Sequence, residues 1–77
     1  MEYRVDVIAL RKAFIEKGMN TISEMATGSG VDRNTLSSIL NGTTYPSSRT
    51  MVKIVNSLEM DGATAGSIFF VKNLRNT

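Results

Sequence analysis

Seventy-seven residues, a formal net charge of +2 and the complete absence of Cys and His bound what this chain can be. A chain of this length makes one small domain, residues 1–77, with a limited core. Without thiol or imidazole it has no disulfide, no zinc site of the usual ligands and no His-based catalytic triad.

At the N-terminus, Met1-Glu2-Tyr3-Arg4 mixes acid with base and does not read as a signal peptide. No apolar run approaches the roughly 20 residues of a membrane span, so a cytoplasmic protein is expected. Few Gly and Pro breaks, with apolar residues three and four apart, predict an all-α domain. The first helix is expected from about Arg4 to Lys17, with Val7, Leu10, Ala13 and Phe14 on one face. Asp6 in its first turn and Lys17 in its last suit the helix macrodipole, and Gly18 is the expected stop.

Thr21-Ile22-Ser23-Glu24 spells a capping box, hydroxyl to the third amide and carboxylate back to the cap amide. Met25 and Ala26 point inward, and Gly28-Ser29-Gly30 ends this second helix and turns the chain. Asp32 caps a third helix whose apolar side is Val31, Leu36, Ile39 and Leu40. Asn41-Gly42 closes it, and Thr43-Thr44-Tyr45-Pro46 is a loop. Ser47 or Ser48 caps a fourth helix running to about Leu58, with the stripe Met51, Ile54, Val55, Leu58. Asp61-Gly62 breaks it. A fifth helix from about Thr64 to Leu74 carries Ala65, Ile68, Phe69, Val71 and Leu74. A strand through Ser67–Val71 competes with it, because Gly66 and the β-branched residues weaken a helix there.

Short helix, tight glycine turn, second helix: from Thr21 to Asn41 this is the layout of a helix-turn-helix, which lays its second helix in the DNA major groove. Met25-Ala26, Gly30-Val31, Arg33-Asn34-Thr35-Leu36, Ile39, Asn41-Gly42, Pro46 and the fourth-helix stripe follow in a telling order. In that order and spacing the chain resembles the Cro/CI (XRE)-type helix-turn-helix family of bacteria and their phages, over about Gly18 to Met60. The resemblance implies a compact five-helix bundle of the lambda-repressor-like type. It also implies a small lysis–lysogeny switch protein, either Cro-like or a modulator of repression.

By the same resemblance Arg33, Asn34 and Ser38 would face base edges, where Arg bridges guanine and Asn pairs bidentately with adenine. Thr21, Ser23, Asn41, Thr43 and Thr44 would sit near phosphates. Tyr45 either packs on the fourth helix or lies against a sugar–phosphate strand. The implied partner is double-stranded operator DNA, bound by a homodimer whose third helices enter successive major grooves about 34 Å apart. No cofactor, metal or small-molecule substrate is implied.

Two departures from the family pattern matter. Where the family usually has Gln after the capping Thr, this chain has Ile22, which cannot hydrogen-bond. It is either a core residue or an exposed apolar spot marking a protein contact. Between Asn20 and Thr50, moreover, the charges are Glu24, Asp32, Arg33 and Arg49, which sum to zero. Most positive charge lies on the first helix (Arg4, Arg11, Lys12, Lys17) and toward the C-terminus (Lys53, Lys72, Arg75).

Lys and Arg contacts to phosphate supply most sequence-independent DNA affinity. A monomer is therefore expected to bind weakly and to need a dimer or a different partner. The alternative is an antirepressor. Ile22, Glu24, Asp32 and Arg33 would cover the basic DNA-reading face of a phage repressor and occlude it. Phe69 and Phe70 are adjacent, so one helix face cannot bury both; one completes the core and the other is spare for association. The carboxylates are scattered and no glycine-rich phosphate loop is present, so an enzyme is not expected.

Overall fold

Every helix of this protein begins on a side-chain oxygen that accepts a first-turn amide: Asp6, Thr21, Asp32, Ser47 and Asp61. Such caps satisfy amides that the helix itself leaves without partners. The computed structural model describes residues 2–73. In chain order its elements are β1 (Tyr3–Arg4), α1 (Val7–Glu16), α2 (Ile22–Ser29), α3 (Arg33–Leu40), α4 (Ser48–Leu58), α5 (Gly62–Phe69) and β2 (Val71–Lys72). The all-α five-helix expectation stands, with one small addition at the chain ends.

That addition corrects the two terminal elements. Tyr3 and Arg4 do not open the first helix. They pair antiparallel with the end of the chain, Tyr3 opposite Lys72 and Arg4 opposite Val71. The pairing continues on both sides, from the Asp6 amide to the Ile68 carbonyl (2.7 Å) and from the Asn73 amide to the Glu2 carbonyl (2.8 Å). Helix α1 therefore starts at Val7, and Asp6 is its cap: the carboxylate accepts the Ala9 amide at 3.0 Å. At the other end α5 stops at Phe69: residues 67–69 are helical, and strand is confined to Val71–Lys72. Leu74, the end expected for the fifth helix, and Arg75 lie outside the described residues.

Leu10 and Phe14 of α1, Leu36, Ile39 and Leu40 of α3, and Ile54 and Leu58 of α4 converge on one core. Met25, Val31, Ile68, Phe69 and Val5 complete it. Each helix contributes its apolar stripe and turns its polar side outward, as amphipathic helices of a small domain must. The second helix runs two residues further than expected, because Gly28 and Ser29 are helical and only Gly30 leaves the helix. Gly28 has a packing reason: a Cβ there would overlap the Met19 sulfur. Among the described residues, no buried side-chain nitrogen or oxygen lacks a hydrogen-bond partner.

Candidate functional site

The capping box at the start of α2 is complete. Thr21 Oγ1 accepts the Glu24 amide at 3.1 Å, and Glu24 Oε1 accepts the amides of Thr21 (3.1 Å) and Asn20 (2.7 Å). At the other end Gly30 takes the left-handed conformation, φ 74°, which a side chain would disfavour. Buried Ser29 holds the turn together. Its hydroxyl donates to the Met25 carbonyl at 2.7 Å and accepts the Val31 amide at 3.3 Å. Asp32 Oδ2 then accepts the amides of Asn34 and Thr35 (3.0 and 3.2 Å) and starts α3.

With Leu36, Ile39 and Leu40 buried, the opposite face of α3 presents Asn34, Ser38 and Asn41 at i, i+4 and i+7. Asn34 and Asn41 are exposed, Ser38 is half-buried, and Ser37 flanks them. Arg33 is exposed at the first helical position. Arg49, which sequence reasoning did not single out as a site residue, is likewise exposed in the first turn of α4. A helix macrodipole disfavours cations at that end, and neither Arg has a partner among the described residues. Two arginines held against their local electrostatics, free and facing water, are available to an anion.

Of the expected phosphate contacts, Thr21, Ser23, Asn41 and Thr44 are exposed. Thr43 is exposed too, but its amide and its hydroxyl both donate to the Ser38 carbonyl, each at 3.0 Å. Thr43 therefore shapes the loop and has no donor left for a phosphate. Tyr45 is half-buried and packs against the core. Its hydroxyl donates to the Phe69 carbonyl, tying the loop after α3 to the end of α5. Burial, and secondarily Tyr3, pushes its phenol above the ordinary value.

The residues of the alternative partner surface are placed as follows. Ile22 is half-buried and packs against the core, so it is no exposed apolar centre. Glu24 and Asp32 turn their carboxylates into helix starts, where the dipole offsets part of their charge. The local sum of zero thus counts charges of unequal availability: the acids are engaged in caps and the arginines are free. Lys53 adds to the positive side by donating from α4 to the Gly30 carbonyl of the turn, at 3.3 Å. No local pattern in the sequence marks this lysine, because α4 and the turn meet only in the fold. The aromatic pair divides as expected. Phe69 is 1% exposed and completes the core, which removes it from any association surface; Phe70 is 51% exposed and meets the Tyr3 ring edge-on at 5.5 Å.

Among the described residues no cluster of acidic side chains could hold a metal ion, and no helix is long and apolar enough to cross a membrane. A family model described as helix-turn-helix matches residues 10–62. No curated protein and no solved structure matches the chain.

Proposed function

The chain belongs to the helix-turn-helix family of DNA-binding transcription regulators, and we propose that it is a phage-type regulator of a lysis–lysogeny switch. In this reading a dimer binds operator DNA through α3. The observation that carries it is the α3 face itself. Asn34, Ser38 and Asn41 line the outside of a helix fixed by a cap at its start and three buried side chains beneath, with Arg33 free at its head. Rigid presentation of a few polar side chains is what base readout in a major groove needs. Arg33, Asn34 and Ser38 read bases; Thr21, Ser23, Asn41, Thr44 and Arg49 hold phosphates. The phage setting rests on likeness to small switch proteins of the Cro and modulator-of-repression kind.

Capture of a phage repressor through Ile22, Glu24, Asp32 and Arg33 has less support, since three of those four side chains are engaged in the core or in caps. Selection of a binding duplex from a random library, followed by anisotropy titration, tests the main reading. Arg33→Ala is expected to cost about 1–3 kcal/mol at a single base position and to relax preference there. Failure to bind any duplex at low salt, together with stable 1:1 co-elution with a phage repressor, would favour the antirepressor.

A further inference from the structure

A half-open groove of about 540 Å³ lies between strand β1 and the loop that follows α3. Its lining includes apolar Val5, Val7 and Ile39 together with Arg4, Thr44 and Tyr45. Among the described residues no acidic side chain lines it. Arg4 is exposed and has no partner among the described residues. We propose that this groove seats a sugar–phosphate segment of the DNA whose major groove α3 occupies, with Arg4 as the cation on the phosphate. The inference rests on the DNA-binding reading above and adds a contact from a part of the chain outside the helix-turn-helix.

Three observations carry it. The first is charge. Among the described residues the groove has one free guanidinium and no carboxylate, which favours an anion, and its apolar lining suits the carbon face of a deoxyribose. The second is position. The loop begins directly after Asn41, the end of α3. Helix α3 has eight residues, about 12 Å of length, and the major groove of B-DNA is about 12 Å wide. With the head of α3 among the bases, its tail and the adjoining groove reach the flanking backbone.

The third is construction. Both walls are tied to the same C-terminal segment, β1 through its pairing with β2 and the loop through Tyr45 on the Phe69 carbonyl. A two-residue strand pair with exposed side chains adds little core, and chain ends ordinarily fray. Here the pairing holds Arg4 on the groove that Thr44 also lines.

The test is a salt titration of the whole chain on a duplex selected for binding to it. Each phosphate contact contributes about 0.9 to the slope of log affinity against log salt. Arg4→Gln should flatten that slope by about 0.9 and weaken binding on the order of tenfold near 0.1 M salt, alike for all sequences. Base preference should be unchanged, as should the thermal midpoint, since Arg4 is exposed.

Lys72→Gln is the control. It sits on the partner strand and does not line the groove, so its slope should match the wild type. A methylphosphonate placed at one flanking phosphate should weaken the wild type and leave Arg4→Gln unaffected. Wild-type slope in Arg4→Gln, or equal flattening in Lys72→Gln, overturns the proposal while DNA binding stands. If the wild type binds no duplex, the functional reading fails first and takes this one with it.

Discussion

Between Thr21 and Thr35 the hydrogen bonds that shape the chain join residues two to four positions apart: Thr21 with Glu24, Ser29 with Met25 and Val31, Asp32 with Asn34 and Thr35. At the chain ends they join opposite extremes of the sequence: Glu2 with Asn73, the Tyr3–Arg4 strand with Val71–Lys72, Asp6 with Ile68. The first region carries its geometry in its own residues. The second forms only once the core has brought the ends together, because closing so long a loop costs entropy that a few strand bonds alone do not offset. Tyr45, bonded to the Phe69 carbonyl, connects the two regions.

The largest effect is expected where the ends meet the shared core. Phe69→Ala removes a side chain that is 1% exposed and should destabilise by about 3–5 kcal/mol. Urea unfolding followed by circular dichroism measures it. Loss of the chain ends alone, with α2 and α3 still folded under one coincident set of conditions, would break the idea that both regions share one cooperative core.

A smaller loss is expected inside the locally fixed region. Ser29→Ala leaves the Val31 amide without its partner in a buried turn and should cost about 1–3 kcal/mol. An unchanged unfolding midpoint would mean that the turn is held by Gly30 and Asp32 without help from the hydroxyl.

The smallest effect tests the link. Tyr45→Phe deletes one hydrogen bond to a carbonyl and should cost about 1 kcal/mol. The same phenol gives an alkaline signature. Burial first, then Tyr3, holds the Tyr45 phenol above its ordinary value, so the folded protein keeps that proton more tightly than the unfolded chain. This contribution is complete below about pH 10 and is lost as pH rises through the raised folded value. Unfolding midpoints compared at neutral pH and above pH 10 should fall more in the wild type than in Tyr45→Phe; equal falls would show that the phenol is not involved.

Residues near one another in sequence announced themselves. The capping box at Thr21, the Asp32 cap, the Ser47 cap, the inward faces of α3 and α4 and the outward face Asn34, Ser38 all follow from local spacing. The same spacing misled where a local signal had a tertiary meaning. Gly28 looked like a helix stop and is a helical residue cleared for the Met19 sulfur. Thr43 looked like a phosphate donor and gives both its donors to Ser38.

The sequence by itself determined five amphipathic helices, three of them with legible caps, and a helix-turn-helix, because caps, turns and stripes are short-range chemistry readable in order. Only the tertiary structure decided which charges are available at the α3 face. It turned Glu24 and Asp32 into caps, left Arg33 and Arg49 free, and brought Lys53 to the turn and Arg4 beside the loop. Charges act through space and through their hydrogen-bond partners, and neither is written in their order along the chain.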